Sequence, residues 1–269
     1  MVLMKKISFL LLTIFISACA IDATKKENFE ETKLISSISD KYVGIELNNS
    51  YQWLGIPYAE PPQGSLRWKA PRALTKQKEI VKALKFSDSC PQIPSISLDR
   101  GGKGEYTGSE DCLYLNVFAP KKLSSDKKLP VMFWIHGGGN TSGEAASYDF
   151  SKLASTHELV IVSVNYRLGF LGWFYHPAFA ATSNNLEDKS GNFGTLDQIM
   201  ALKWVKQNIE DFGGDKNNIT IFGESAGGHN VFALLSSPLA KGLFHKAISQ
   251  SGATNTFDLE EASKFFDKK

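Results

Sequence analysis

The chain has 269 residues, a formal net charge of +2, 42% hydrophobic residues and 22% charged residues. This is the composition of an ordinary globular protein, and the length fits one large or two small α/β domains. The net charge is too small to indicate nucleic acid or acidic lipid as a partner.

Residues 1–18 have the pattern of a secretory signal peptide. Lys5 and Lys6 precede "ISFLLLTIFISA" (Ile7–Ala18), a run of twelve residues that ends in small side chains. A membrane-spanning helix needs about 20 apolar residues, so this run is too short to cross a bilayer. We therefore expect export and removal of residues 1–18.

Cys19 follows directly, and "ISAC" resembles the bacterial lipobox, in which the cysteine carries the lipid. A lipid on Cys19 would hold the protein at the membrane of the bacterial cell envelope. The polar residues 19–40, most clearly Asp22–Lys33, would then link the anchor to a folded domain at 41–269. "ACA" at 18–20 also fits plain cleavage, which would leave the protein secreted or periplasmic.

Cys90 and Cys112 are the other two cysteines. In an oxidising compartment an even pair predicts a disulfide, which here would close a loop of about 22 residues and stabilise by roughly 3 kcal/mol. Two free buried thiols are the alternative.

Short apolar runs bounded by turn signals predict strands buried on both faces, as in a parallel sheet. Leu196, Ile199, Leu202, Val205 and Ile209 recur at helical spacing and predict a helix over 195–212, which Gly213-Gly214 ends. The Pro- and Gly-rich stretch 55–71 predicts a loop. Alternation of strands and helices predicts an α/β fold with a mainly parallel central sheet flanked by helices. The predicted strands are Val131–Ile135, Leu159–Val164, Ile219–Phe222 and Lys246–Gln250.

Ser225 lies in "GESAG", between the predicted strand Ile219–Phe222 and a predicted helix. In G-x-S-x-G a serine on a sharp strand-to-helix turn stands clear of the backbone, where a base and a substrate can both reach it. A serine that merely caps a helix is the alternative, since the motif alone is weakly specific.

"HGGGN" (His136–Asn140) follows the predicted strand Val131–Ile135. Consecutive glycines allow backbone N–H groups to converge on one point, which is what a developing oxyanion requires. A phosphate-binding loop is the alternative, but the lysine and Ser/Thr of a P-loop are missing.

The chain resembles the type-B carboxylesterases, the α/β-hydrolase family that includes the cholinesterases. The likeness runs from about Tyr51 to Gly252. The motifs that carry it are "LGIPYAEPPQGSLRW", "SEDCLYLNVFAP", "WIHGGG", "VSVNYRLGFLGW", "GNFGTLDQIMALKWVKQNIEDFGGD", "ITIFGESAGG" and "ISQSG".

This resemblance implies an α/β-hydrolase fold and ester hydrolysis, with Ser225 as the nucleophile. It also implies an oxyanion hole built from the N–H groups of Gly138, Gly139 and Ala226, and a Cys90–Cys112 disulfide. His229 and Asn230 depart from the smaller side chains that are usual in the family just after the serine.

The acid and the histidine of the catalytic triad are not identified in this chain. In this fold they follow the serine, and the acids that do so here (Asp258, Glu260, Glu261 and Asp267) have no matching context. His136 belongs to the glycine loop, and His157 and His245 precede their strands, whereas ligands bind at the carboxyl ends. His176 and His229 remain open as substitutes. The chain therefore resembles the N-terminal portion of an esterase domain, with the C-terminal part of the fold absent.

The leading hypothesis is a carboxylic ester hydrolase that acts through a serine acyl-enzyme on small-molecule esters. The alternatives are a catalytically inactive esterase-like binding protein and a truncated remnant. No cofactor, metal site or nucleic-acid partner is expected, since no dinucleotide, P-loop or zinc-protease motif occurs. The expected partners are a membrane, through the lipid on Cys19, and a separate C-terminal fragment that completes the fold.

Overall fold

The computed structural model describes residues 30–32, 35–37, 40–75, 79–93, 105–121 and 128–254. The predicted signal peptide, Cys19 and most of the predicted tether lie outside the described residues. Within the described ranges, no helix is both long enough and apolar enough to cross a membrane.

Eleven strands form two sheets among the described residues. The larger sheet has eight strands in the order β1-β4-β5-β7-β9-β8-β10-β11, and the smaller has three in the order β2-β3-β6. The strands are β1 (Glu30–Glu31), β2 (Ile35–Ser36), β3 (Lys41–Val43), β4 (Ile45–Glu46), β5 (Ser50–Pro57), β6 (Val81–Lys82), β7 (Tyr114–Pro120), β8 (Leu129–Ile135), β9 (Val160–Val164), β10 (Gly214–Glu224) and β11 (Lys246–Gln250).

The predicted strands form the parallel half of the large sheet. β8 pairs in parallel with β9 and β10, and β10 pairs in parallel with β11. The other half consists of β1, β4, β5 and β7, which pair antiparallel with one another in that order. β7 also pairs antiparallel with β9 and so joins the two halves. The α/β fold class is thus confirmed, but the sheet is mixed rather than mainly parallel.

Strand β5 extends into the stretch that was predicted to be loop. It ends at Pro57, and its pairing with β7 is irregular between Trp53 and Ile56. Gly55 has a φ of 74° at this irregularity, a conformation that glycine adopts without steric cost. A glycine and a proline therefore mark a bulge and a strand end here, and the loop begins after them.

The folded region begins before residue 41. Glu30–Glu31 pairs with β4, and Ile35–Ser36 pairs with β3. The last part of the predicted tether therefore forms two short edge strands. The sequence did not predict them, because backbone pairing of such short strands requires no apolar pattern.

In the described ranges, five α-helices connect the strands: α1 (Ser151–His157), α2 (Gly169–Gly172), α3 (Pro177–Ala180), α4 (Phe193–Asn208) and α5 (Ala226–Ser236). A 3₁₀ turn over Ile209–Phe212 continues α4, and Gly213 ends it with a φ of 86°. The prediction of a helix over 195–212 with a glycine stop is confirmed.

The parallel strands are buried on both faces, as their continuous apolar runs predicted. Phe133 and Ile135 of β8 pack with α4 and α5 on one face, whereas Trp134 packs with α1 on the other. Alternate side chains of a strand point to opposite faces, so one short segment contributes to both layers of the core.

Strand β11 is the edge of the large sheet within the described residues, and it pairs there with β10 alone. Its side chains are largely exposed, and Ile248 is 45% accessible. The other parallel strands are far more buried.

A buried ion pair links the segment after β9 to α4. The guanidinium of Arg167 donates from Nε and Nη2 to the two carboxylate oxygens of Asp197, at 2.8 and 2.7 Å. The side chains are 3% and 0% exposed, and Arg167 Nη1 also donates to the carbonyl oxygen of Lys69. Because the pair is bidentate, it sets the orientation of this segment on α4 and also neutralises the buried charge of the guanidinium.

Candidate active site

Ser225 lies at the turn between β10 and α5, with φ 54° and ψ −121°. Its N–H donates to the carbonyl oxygen of Gln250 on β11, at 2.9 Å. A non-glycine residue in this region of φ/ψ space is strained, and such residues cluster at functional sites. The turn is the arrangement predicted from G-x-S-x-G, with the serine between a strand and a helix.

The flanking glycines allow α5 to start close to β8. A Cβ at position 227 would collide with the carbonyl oxygen of Ile135, and one at position 223 would lie 2.8 Å from the same atom. These positions tolerate no side chain, because the obstructing atoms belong to the backbone of β8 and, at position 223, also to the backbone of Gly227 in α5.

The glycine loop (His136–Gly143) follows β8 and packs against Ser225. Gly223 of β10 is level with Ile135 of β8, so both strands end at the same edge of the sheet. A Cβ at Gly137 would lie 2.9 Å from the carbonyl oxygen of Glu224 and 3.2 Å from the Cβ of Ser225. The two predicted motifs therefore meet in space.

Three backbone N–H groups at this edge have no acceptor among the described residues. Gly138 and Gly139 have φ values of 103° and 63°, and neither donates a hydrogen bond to a described residue. Ala226 is the first residue of α5, so its N–H has no acceptor within the helix. These are the N–H groups of Gly138, Gly139 and Ala226 that the resemblance implied as an oxyanion hole.

The carbonyl of Gly138 is held from the other side of the loop. It accepts hydrogen bonds from the N–H groups of Thr141 and Ser142, at 3.1 and 3.0 Å, and from the hydroxyl groups of the same two residues.

Gln92 holds the end of the loop, since its side-chain amide accepts from the N–H of Gly143 at 2.7 Å and donates to the carbonyl oxygen of Gly143 at 3.0 Å. Gln92 follows the Cys90–Cys112 disulfide, which the structure contains. Sequence reasoning missed Gln92, because nothing in its neighbourhood distinguishes it.

His136 is buried beneath the glycine loop. Its ring stacks on Tyr166 with centroids 4.3 Å apart, and its Nδ1 donates to the carbonyl oxygen of Gly137 at 2.8 Å. Tyr166 Oη donates to the carbonyl oxygen of His136 at 2.5 Å. Burial lowers the pKa of His136 to about 4, so the imidazole is neutral at neutral pH.

The buried imidazole makes stability depend on pH. Its pKa is lower in the folded state than its ordinary value of 6.5. Between pH 6.5 and 4 the imidazole of His136 is therefore protonated in the unfolded chain and neutral in the folded protein. We expect the free energy of unfolding to fall by up to roughly 3 kcal/mol as the pH drops through this window. Denaturant titrations at pH 4.5 to 7.5 measure this slope.

The control is His136→Asn, which keeps a polar side chain and removes the titration. The slope should be shallower in this variant than in the wild type, and His157→Asn controls for loss of an exposed histidine. Equal slopes in His136→Asn and the wild type would contradict the assignment.

The other histidines do not contact the hydroxyl of Ser225. His229 donates from Nδ1 to the carbonyl oxygen of Ser225 at 2.9 Å, and His176 Nδ1 accepts from the N–H of Ala178 and caps α3. His245 binds the backbone of Ile219, six residues before Ser225 in the sequence and thus roughly 20 Å away along the strand. His157 ends α1, ahead of β9.

All five histidines of the sequence lie within the described residues. No hydrogen bond joins the Oγ of Ser225 to any of them. Neither His176 nor His229 is therefore brought to the serine as a base.

Asn230 has a partner in the glycine loop, whereas the sequence showed only that this side chain is larger than is usual in the family. Its amide pairs with that of Asn140. The departures at 229 and 230 are thus accommodated by specific hydrogen bonds on the first turn of α5. Within the described part of the chain, no group of three or more His, Cys, Asp or Glu side chains forms a candidate metal site.

Comparison with known proteins agrees with this geometry. The carboxylesterase family model matches residues 35–266. Para-nitrobenzyl esterase of Bacillus subtilis (strain 168) is 46% identical over 233 residues, which cover 86% of this chain and 46% of the relative. Liver carboxylesterase of Sus scrofa is 44% identical over 228 residues, or 81% of this chain and 39% of the relative. A solved structure of a thermophilic PNB esterase matches with a TM-score of 0.77 and 45% identity, over 86% of this chain and 46% of its own.

The fold and the serine turn define an α/β hydrolase. Within that class, the chain belongs to the carboxylesterase family, and the predicted resemblance is confirmed. The chain spans about half the length of the curated relatives it matches.

Proposed function

We propose that this protein hydrolyses carboxylic esters through an acyl-enzyme on Ser225. The observation that carries the proposal is the meeting of two motifs at one edge of the sheet. Ser225 stands on a strained turn, and the glycine loop lies against it with N–H groups that have no described acceptor. Such donors stabilise charge that develops on a carbonyl oxygen.

In the proposed reaction, Ser225 Oγ attacks the ester carbonyl carbon as a base removes its proton. The carbonyl oxygen becomes an oxyanion and accepts hydrogen bonds from the N–H groups of Gly138, Gly139 and Ala226. The C–O bond to the alcohol breaks, the alcohol leaves with the proton, and the acyl group remains on Oγ. Water then attacks the acyl-enzyme in the same way and releases the acid.

The base and its acid partner are proposed to come from polypeptide outside this sequence. Two observations support this: none of the five histidines bonds to Ser225 Oγ, and among the described residues no strand pairs with the outer edge of β11, beside Ser225. A separate C-terminal fragment or a longer chain would supply the same groups. Without a base, the oxyanion hole and binding would leave only a residual acceleration of roughly 10³–10⁴ over water.

The proposed substrates are small-molecule carboxylic esters. Support comes from relatives whose names describe a para-nitrobenzyl esterase, liver carboxylesterases and a fatty acyl-CoA hydrolase. We further propose an exported lipoprotein, with a signal peptide at 1–18 and a lipid on Cys19. The basic and apolar N-terminal pattern and the disulfide support export.

Fluorophosphonate labelling of native cells tests the function. Oγ of an activated serine forms a bond to phosphorus and fluoride leaves, so we expect a covalent adduct on the peptide that carries Ser225. A heat-denatured sample is the control. The mass of the intact labelled protein also reports whether the base belongs to the same polypeptide.

Failure of labelling would favour a second candidate, an inactive esterase-like binding protein. The lack of a histidine contact to Ser225 Oγ is the observation in its favour. A folded native protein whose Ser225 peptide stays unmodified under conditions that label other serine hydrolases in the same cells would overturn the proposed hydrolysis.

A further inference from the structure

The glycine loop has three consecutive residues in the left-handed region, and the third is not glycine. Gly138, Gly139 and Asn140 have φ values of 103°, 63° and 57°. Asparagine tolerates this region better than other side chains, but the conformation is still strained. Strained residues persist where surrounding contacts determine them.

The contacts that hold Asn140 come from two other parts of the fold. Its carbonyl oxygen accepts from the N–H of Gly169, at 2.7 Å. Its side chain forms a reciprocal amide pair with Asn230, in which Asn230 Nδ2 donates to Asn140 Oδ1 at 2.9 Å and Asn140 Nδ2 donates back to Asn230 Oδ1 at 3.4 Å. Asn230 is only 4% exposed.

Asn230 also contacts the residue that supports the start of the loop. Its side chain lies close to the hydroxyl of Tyr166, and Tyr166 Oη donates to the carbonyl oxygen of His136. One buried amide on α5 therefore bonds to Asn140 at one end of the HGGGN segment and lies close to the hydroxyl that holds His136 at the other.

We propose that the Asn140–Asn230 pair positions the two halves of the oxyanion hole relative to each other. This inference rests on the proposed hydrolysis. Gly138 and Gly139 lie on the loop after β8, whereas Ala226 begins α5. The pair joins these segments across a sequence separation of 90 residues. Asn140 is one position from Gly139, and Asn230 is four positions from Ala226. Neither asparagine is a catalytic residue, because both act through the backbone they hold.

The kinetic test replaces Asn230 by leucine, which has a similar size and no hydrogen-bonding atoms, in the polypeptide that carries this sequence in its native cells. Loss of a whole oxyanion donor costs about 10²–10³ in kcat, so loosened placement should cost on the order of tenfold. The loss should appear in kcat, with little change in KM, because the donors act on the transition state. A KM effect with unchanged kcat would overturn the inference.

Asn140→Gly completes a double-mutant cycle. Glycine removes the side chain and accepts the left-handed backbone, so this variant keeps the fold if Asn230→Leu disturbs it. If the two amides act as one unit, the double variant should lose no more kcat than the worse single variant. Losses that multiply would mean that the asparagines act separately.

Hydrogen exchange gives a readout that does not need catalysis. In Asn230→Leu the peptide covering residues 136–143 should exchange faster than in the wild type. Asn116→Leu is the matched control, because Asn116 on β7 is also 4% exposed and its amide also makes two hydrogen bonds. It donates to the Ser163 hydroxyl and accepts from the N–H of Gly55. That control should lower the thermal midpoint and leave exchange of the loop unchanged.

The outcomes separate this inference from the proposed function. A wild-type protein without esterase activity would refute the hydrolysis, and loop exchange would still decide whether the pair holds the loop. Unchanged loop exchange in both Asn230→Leu and Asn140→Gly would overturn the inference even in a fully active enzyme.

Discussion

Replacing Ser225 by alanine is expected to lower kcat/KM for aryl ester hydrolysis by roughly 10⁴- to 10⁶-fold, following the proposed mechanism. Loss of the nucleophile removes the covalent route and leaves only binding and electrostatic stabilisation by the glycine loop, which serine hydrolases show to be a small remainder. The measurement is steady-state hydrolysis of a short-chain aryl ester by the native polypeptide and the variant. Adduct formation with a fluorophosphonate should vanish as well.

Ser155→Ala is the matched control, because Ser155 lies on α1, on the other face of the sheet from α4 and α5. That variant should keep wild-type activity. Circular dichroism and thermal midpoints should show that Ser225→Ala is folded, because alanine keeps the Cβ and leaves the backbone strain at φ 54° as it is in the wild type. Activity of Ser225→Ala within tenfold of the wild type would assign the nucleophile elsewhere.

Replacing Asp197 by alanine is expected to lower the free energy of unfolding by about 3–5 kcal/mol. The change leaves the guanidinium of Arg167 buried without its carboxylate, on side chains that are 3% and 0% exposed in the wild type. Asp197 also accepts from the backbone N–H of Arg167, so the segment that leads to Gly169 loses its anchor on α4. Denaturant unfolding at neutral pH gives the difference directly.

Two further variants show that the unpaired charge causes this loss. Arg167→Met with Asp197→Leu should be more stable than Asp197→Ala alone, because apolar replacement of both partners leaves no buried charge. Glu210→Ala breaks the pair with Lys216, whose side chains are 42% exposed on each side, and should leave stability nearly unchanged because water screens exposed pairs. An effect of Asp197→Ala no larger than that of Glu210→Ala would contradict the argument.

The parallel half of the sheet was predictable because its strands are buried on both faces. Continuous apolar runs such as Val131–Ile135 can satisfy that burial in few ways, and all four predicted strands are neighbours in the large sheet. The antiparallel half was not predicted. β5 contains Gly55 and Pro57, which are typical of loops. β1, like β2 in the small sheet, is held by backbone pairing that leaves little trace in side-chain pattern.

The position of Ser225 and the glycine loop also followed from the sequence. The constraint is steric: only glycine fits where α5 approaches Ile135 and where the loop approaches Glu224. Steric requirements of this kind act at fixed positions in the chain, so they appear as short motifs that can be recognised without a structure.

The contacts that hold the site were decided by tertiary structure alone. Gln92 binds Gly143 across 51 residues, and Asn230 binds Asn140 across 90. A single polar side chain carries no information about a partner so distant, because its hydrogen bond exists only once two segments have been brought together by the sheet. The family, the serine turn and the glycine loop beside it were predictable from the sequence. The tertiary structure decided the mixed sheet, the buried Arg167–Asp197 pair, and which amides hold the loop against α5, since these depend on long-range pairing that burial and geometry alone select.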